Sequence, residues 1–591
     1  MTKAVSKGTA YLFVCLSSVS GLLAARWVFH QSFIGLDFQD ESFFLNMALH
    51  PLEYPEMPTR IGVCLKPLFL IVGENIPRLR QLSFVLLALG LYLNFFFARK
   101  VGTFITPGIC ERTSMVGLAS VVACFSWIAR GGTCRSLGYN QQTCVLMLFL
   151  SAAVLAWFAG KGKTNLRKWS WPHFFTGLGV TWLAMAKPPA IFFWIPFCAI
   201  FLIPQGFFKC RRDLGVLSLG AFTILLPYFL LCESPWDLWF SLSKWPVWES
   251  ILQSGHGLKE VTIFNFKGWL YNSVETFGFF GMRFFAFCFA LALAMSVFKR
   301  KHLSTTPWLV GCMLLLPFSA LSGNLEAFSS TLSQTLNGGF ALGLSLLSAC
   351  LLFHFFAQNG QKWRHPVLLW CISLTIMSPF LYSYGSEVDF QSRAGGAASV
   401  YIGMPCTLLI FLLGSNKAVW MPNTLLCLML MYILSPKWTN PTLYQADRRI
   451  VGKYGSLYLD ALDTASFYTF LDSIKAAGWE AGDLVLDLWG RYPGITFLME
   501  GKSPEWPWYM STECDGINEF THFILSKEMD TIALKNLWVL EASPSLPHVQ
   551  IKGLPAPVGQ CPKGYVLAGV LRFKPHNSSP EVDVRLWKPS I

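Results

Sequence analysis

Long apolar runs separated by short basic turns set the pattern of this chain. Apolar windows of 15–22 residues recur at about 10–29, 81–98, 115–129, 139–160, 171–186, 189–204, 214–232, 276–298, 306–322, 338–357, 366–384, 397–414 and 418–435. Each approaches the roughly 20 residues that an α-helix needs to cross a bilayer. The pattern therefore predicts about 13 transmembrane helices. The first window is too long and too well flanked for a cleaved signal peptide, and it reads as a membrane anchor. Three stretches between or after the windows are long: 30–80, 233–275 and 437–591. In the last, the period changes. Residues 483–489, 521–526, 565–573 and 582–587 read as strands. Residues 464–478 read as a helix with apolar Phe467, Phe470, Leu471 and Ile474, closed by Gly478. The expected fold is a polytopic α-helical membrane protein spanning residues 1–436, with its first outer loop at 30–80, followed by a small extracytoplasmic α/β domain at 437–591.

Composition agrees with this and removes other classes. Of 591 residues, 53% are hydrophobic and 13% charged, against about 25% charged in soluble proteins. That excludes a soluble globular enzyme and a disordered chain. The net charge of +13 raises the question of a polyanionic partner, and its distribution answers it. From Lys437 onward there are 15 basic and 17 acidic residues, so the first 436 residues carry a net +15. That excess sits in turns between apolar windows, where orientation signals lie, so no nucleic-acid partner is expected. With the N-terminus inside, the cytoplasmic turns hold 18 Lys/Arg and the short outer loops hold four: Arg130, Arg135, Lys187 and Arg393. An odd number of spans then puts 437–591 outside. The expected setting is a bacterial inner membrane, although cell surface or ER lumen fits the same sidedness. Fifteen of the 17 cysteines lie in the apolar part, with no Cys-x-x-Cys pair or His/Cys cluster, so no metal site is indicated. Cys514 and Cys561 can pair if their region is extracytoplasmic.

The candidate chemistry lies in the first outer loop. Asp37, Asp40 and Glu41 stand at i, i+3 and i+4, so a helix would bring all three to one face. Mutual repulsion and apolar surroundings would push one of them toward a general base. Phe43, Phe44, Met47 and Ala48 continue the segment as an amphipathic helix expected on the membrane surface. Arg60, Lys66-Pro67, Gly73, Arg78, Arg80 and Ser83 follow. Spaced cations beside a carboxylate suit an anionic lipid phosphate, whereas Arg78 and Arg80 also fit residues that snorkel to the interface.

An Asp-Glu pair just after the first span, a Lys-Pro, a Gly and an Arg-x-x-Ser entering the second span resemble the C-type (GT-C) superfamily of integral-membrane glycosyltransferases. Lipid A aminoarabinose transferases and protein O-mannosyltransferases are the nearest branches. The motif resemblance covers residues 35–83, and beyond them it is one of topology. Leu68 stands where the family often has a second Pro, and Ser42 where Ala, Gly or Val is commoner. The resemblance implies transfer from a polyprenyl-phosphate sugar on the outer side. It implies Asp40 as catalytic base, with Glu41 beside it, and Lys66 on the donor phosphate. Two weaker echoes are Leu137-Gly-Tyr139-Asn140 and Ala186-Lys187-Pro188-Pro189. The candidate set is thus Asp40, Glu41 and Asp37 for proton removal, and Lys66, Arg60, Arg78 and Lys187 for the donor phosphate. The acceptor is a lipid, glycan or protein hydroxyl, in contact with membrane lipids. The sequence assigns no cofactor, and a divalent metal on the carboxylates stays open. Glu387, Asp389 and Arg393, and His256, are further outer-loop candidates that also read as solvated loop residues. The alternative class is a transporter or flippase, against which stand the absence of a repeated half and the gathering of charge in one outer loop. A lipid-linked glycan ligase or polymerase would be expected to carry an Arg-rich late outer loop, whereas loops 323–337 and 385–396 hold one Arg.

Overall fold

The computed structural model describes residues 7–36, 40–54, 59–105, 137–161, 171–188, 211–252, 449–459, 464–488, 493–504, 536–543, 565–574 and 581–590, with a few single positions besides. The first half is helical: α1 (Lys7–Gln31), α2 (Asp40–Leu49), α3 (Ile61–Ile71), α4 (Ile76–Ile105), α5 (Tyr139–Lys161), α6 (Trp171–Ala186), α7 (Arg211–Leu231) and α8 (Pro235–Leu252). Windows 10–29, 81–98, 139–160, 171–186 and 214–232 all fall on helices. Among the described residues, Ile76–Val101, Tyr139–Ala159 and Asp213–Leu231 are long and apolar enough to cross a membrane. The remaining expected spans lie outside the described residues, apart from two isolated positions.

Small residues let these helices approach closely. Gly177 of α6 lies against the Leu217 carbonyl of α7, and Gly220 of α7 lies against the Phe174 carbonyl of α6, leaving no room for a Cβ at either place. Polar side chains tie the same layer. Asn94 of α4 donates to Leu148 O of α5 at 2.7 Å, and Trp182 Nε1 of α6 donates to Gln142 Oε1 of α5 at 2.8 Å. On its other side α7 exposes Leu219, Phe222, Leu226 and Leu230, one helical stripe of the kind a lipid-facing surface requires.

The C-terminal region forms β1 (Arg449–Gly452), β2 (Gly455–Tyr458), α9 (Thr464–Ala476), β3 (Val485–Asp487), α10 (Pro493–Leu498), β4 (Trp538–Ser543), β5 (Tyr565–Phe573) and β6 (Val582–Pro589). β1 and β2 make a hairpin. The other strands form a mixed sheet in the order β3-β4-β6-β5, parallel only between β3 and β4. The helix expected at 464–478 is α9, and Gly478 at φ 93° ends it. The runs at 483–489, 565–573 and 582–587 fall on β3, β5 and β6, while 521–526 lies outside the described residues. β4 escaped the period-2 reading because it is interior to the sheet. Trp538, Val539, Leu540 and Glu541 are all buried, and a strand covered on both faces does not alternate.

This unit sits directly on the first loop. Tyr458 N–H donates to Phe33 O at 2.8 Å, and Gly35 N–H donates to Tyr458 O at 2.7 Å, so the exit from α1 pairs with β2. Gly494 N–H donates to Phe38 O at 2.9 Å, Asn46 Nδ2 donates to Pro493 O at 3.2 Å, and Phe38 meets Phe573 edge-on with ring centres 4.9 Å apart. A Cβ on Gly494 would strike the Phe38 backbone. One buried apolar cluster therefore runs from Phe95 and Leu148 through Phe44 and Leu65 to Phe497 and Leu540. α2 is enclosed by this cluster, with Glu41 through Ala48 all buried. That corrects the expectation of an amphipathic helix on the membrane surface. The polar residues Glu41, Ser42 and Asn46 of α2 are buried along with the apolar ones, so no exposed polar face remains for a surface helix.

Candidate active site

α2 begins at Asp40 and carries two acidic residues in its first turn, which complement the positive end of the helix dipole. Their surroundings differ. Asp40 is half-buried. Glu41 turns inward and is gripped by Arg80 of α4, which donates from Nε to Oε1 at 2.8 Å and from Nη2 to Oε2 at 2.5 Å. Each side chain is 2% exposed. Arg80 also donates to the carbonyls of Ser32 at 2.9 Å, Ile34 at 3.1 Å and Gly35 at 2.8 Å. One guanidinium thus fixes the end of α1, the turn after it and the start of α2. The reading of Arg80 as a snorkelling residue is corrected: the carbonyls left over where α1 stops, together with a buried carboxylate, satisfy its charge in the interior. Asp37 lies outside the described residues.

Phe44 stands one turn beyond Asp40, on the same face of α2. Its ring meets the Tyr139 ring edge-on with centres 5.1 Å apart. Gly138 is pressed against the same Phe44 ring. On Tyr139 rests Lys187, its Nζ 5.5 Å from the ring centre. Lys187 is buried, an arrangement in which an aromatic face contributes to holding the cation. The two weak sequence echoes, around Tyr139 and Lys187, therefore meet each other beside the face of α2 that carries Asp40.

The residues leading into α3 staple to the same place. Thr59 Oγ1 donates to Ala186 O at 2.8 Å and Arg60 N–H donates to Met185 O at 2.8 Å, next to Lys187 in the chain. The buried Arg60 guanidinium reaches the α7–α8 elbow. Its Nε donates to Tyr228 Oη at 2.9 Å, and its Nη2 donates to Glu233 Oε1 at 3.0 Å and to Ser241 Oγ at 3.2 Å. A further bond goes to Met57 O.

Lys66 is placed elsewhere. Its Nζ donates to Glu74 Oε1 at 2.9 Å, with both side chains partly exposed. Its charge acts on His50, just past the other end of α2, and at 1.5 Å rise per residue that end lies about 14 Å along the axis from Asp40. Arg78 is exposed on the first turn of α4, where its backbone N–H donates to Asn75 Oδ1, the cap of that helix. The structure thus sets Glu41 and Arg80 at the start of α2, reaches Tyr139 and Lys187 from the Asp40 face through Phe44, ties Arg60 to Met185 and the α7–α8 elbow, and leaves Lys66 and Arg78 at other points of the loop. Arg130, Arg135, His256, Glu387, Asp389, Arg393, Cys514 and Cys561 lie outside the described residues. Among the described residues, no group of three His, Cys, Asp or Glu is placed to hold a metal ion, and both Glu41 oxygens are engaged by Arg80.

Sequence reasoning missed Tyr228, Glu233 and Ser241 as partners of Arg60. The only local signal was a carboxylate placed directly after the window 214–232.

No protein-family model matches the chain, and no curated protein matches it in sequence. Among solved structures, it is similar to the crystal structure of the Archaeoglobus fulgidus oligosaccharyltransferase complex with Zn and sulfate, at TM-score 0.39 and 12% identity, covering 82% of this chain and 62% of that chain. This chain therefore spans less than two thirds of that protein. The superposition is too loose to transfer a residue or an activity.

Proposed function

We propose that the protein is a membrane glycosyltransferase that moves a sugar from a polyprenyl-phosphate donor to a hydroxyl of a lipid, glycan or protein on the extracytoplasmic side. The observation that carries this reading is the continuous face from Asp40 through Phe44 and Tyr139 to Lys187. It sets a half-buried carboxylate and a buried cation on neighbouring parts of one site. Residues 1–436 supply the spans and the catalytic loop, and the region from 437 onward caps that loop as an extracytoplasmic unit.

Asp40 accepts the proton of the acceptor hydroxyl as its oxygen attacks the anomeric carbon. The bond from that carbon to the phosphate oxygen breaks, and polyprenyl phosphate leaves with the electron pair. A single displacement with one base inverts the anomeric centre. Lys187 and Arg60 oppose the charge that develops on the leaving phosphate. Lys66 is the outer donor cation, reaching the phosphate only by leaving Glu74. Arg78 is a further cation of the loop, and Asp37 precedes the base by three residues in the sequence. Glu41 acts on Asp40 through position: by holding Arg80 it fixes the first turn of α2.

Purified full-length protein in nanodiscs is to be tested with a panel of radiolabelled polyprenyl-phosphate sugars. Transfer is expected, with Asp40→Asn losing about 10²–10⁴-fold in rate while keeping donor binding. Normal turnover by Asp40→Asn sinks the assignment. Movement of labelled sugar across sealed vesicles with no glycosidic bond formed identifies a transporter instead.

A further inference from the structure

Among the described residues, two arginine–glutamate pairs lie in largely buried settings, and they are built differently. Arg80 and Glu41 are sealed, and Arg80 also donates to three backbone carbonyls next to the pair. Arg60 and Glu233 join distant elements, and Glu233 comes from Cys232–Ser234, the three-residue elbow between α7 and α8. Arg60 is 6% exposed and Glu233 is 14%. α7 packs against α6 through the Gly177 and Gly220 contacts, well ahead of the elbow in the chain. The outer side of the elbow is open, with Trp236 80%, Trp239 68% and Phe240 60% exposed on the first turns of α8. Ser234 and Asp237 cap α8 by themselves, Ser234 Oγ donating to Asp237 Oδ2 at 2.6 Å. The start of α8 therefore does not need Glu233.

The Arg60 fork is lined by groups that suit a tetrahedral anion. Tyr228 Oη and Ser241 Oγ lie within 3.2 Å of its nitrogens, and both hydroxyls can donate as well as accept. Lys187 follows in the chain directly after the two carbonyls to which Thr59 and Arg60 are stapled. A carboxylate and a phosphate both present paired oxygens to a guanidinium. Glu233 occupies the fork in that manner, with Nη2 3.0 Å from each of its oxygens.

Resting on the function proposed above, we propose that Arg60, Tyr228 and Ser241 form the seat of the lipid-borne phosphate, and that Glu233 fills this seat in the empty enzyme and is displaced when the donor enters. The occupant lowers apparent donor affinity by keeping the competent state a minority. It also spares Arg60 from standing buried and uncompensated between turnovers. Displacement turns the elbow outward, so donor binding and the position of α8 are coupled.

The test is binding of undecaprenyl phosphate to the full-length protein in nanodiscs, with inorganic phosphate as a parallel arm. Glu233→Gln keeps a hydrogen-bond acceptor while removing the competing charge, and about tenfold tighter binding of the lipid is expected, within the usual range of couplings. Glu233→Asp keeps the charge but shortens its reach, and should tighten binding by less; it carries the test if the Gln variant does not fold. Arg60→Gln should weaken binding about tenfold or more. Wild-type binding that Glu233→Gln and Glu233→Asp leave unchanged or weaken overturns the latch and leaves the donor reading standing. Absence of lipid binding in wild type and all variants overturns both. Equal gains for inorganic phosphate and the lipid overturn the assignment to a lipid-borne group.

Discussion

The two ends of α2 carry the same chemistry in opposite settings. At its start, Glu41 and Arg80 form a carboxylate–guanidinium pair with almost no exposure, completed by three backbone carbonyls. At its finish, His50 lies 3.4 Å from Glu53, which accepts from Lys502 at 2.8 Å, and Lys66 pairs with Glu74 nearby. Those pairs face solvent on at least one side, with Glu53 44% exposed. Exposed pairs contribute about 0–1 kcal/mol. Loss of one partner from a buried pair costs about 3–5 kcal/mol, because the other charge is stranded. The difference shows where this loop needs rigidity. The proposed base adjoins the sealed end, where one arginine fixes its backbone, and the adjustable end trims the contact with the C-terminal unit.

The strongest way to break that comparison is to mutate both ends. Arg80→Ala should destabilise the protein by about 3–5 kcal/mol, read as a lower denaturant midpoint in detergent. Lys502→Ala should cost no more than about 1 kcal/mol. Equal losses would erase the distinction. Replacement of Glu41 and Arg80 together by apolar residues should recover much of the stability while leaving transfer impaired, because the pair then no longer sets the first turn of α2.

A second comparison concerns the cations. Lys187→Ala should weaken polyprenyl-phosphate binding by about 10–100-fold, the range of a charge-assisted contact in a buried site. Lys66→Ala should weaken it by less than about threefold, since Lys66 already spends its charge on Glu74. The reverse order would return the donor site to the Lys-Pro segment and shift it toward the far end of α2.

These orders were only partly legible in the chain. The apolar windows that fall on described residues could be read as helices because a helix able to cross a bilayer must be apolar along its whole length, and α5 begins and ends almost where its window does. Asp40 and Glu41 were visible as a pair, yet nothing local says which one turns inward. That choice depends on Arg80, 39 residues away in sequence. Lys66 drew notice because it precedes a proline, but Glu74, eight residues on, occupies it. Arg60 could not be matched to Glu233, 173 positions later, because a pairing between loops leaves no periodic trace. The placement of β2 and α10 on the first loop was illegible for the same reason.

The smallest expected effect is a pH dependence confined to the exposed end. His50 has its pKa lowered from the ordinary 6.5, chiefly by burial, with Lys502 and Lys66 acting in the same direction and Glu53 opposing them. A lowered folded-state value means that the unfolded chain takes up the proton first. The contribution of His50 is therefore fully present above pH 6.5 and is lost as pH falls through the folded-state value. One group can supply at most about 1.4 kcal/mol per pH unit. Stability of wild type should fall as pH drops below 6.5 relative to His50→Gln, and the two should run parallel well above it. Denaturant midpoints measured across that range check this. A slope that persists in His50→Gln and disappears in Glu41→Gln would place the titrating group at the sealed end and reverse the assignment of rigid and adjustable ends.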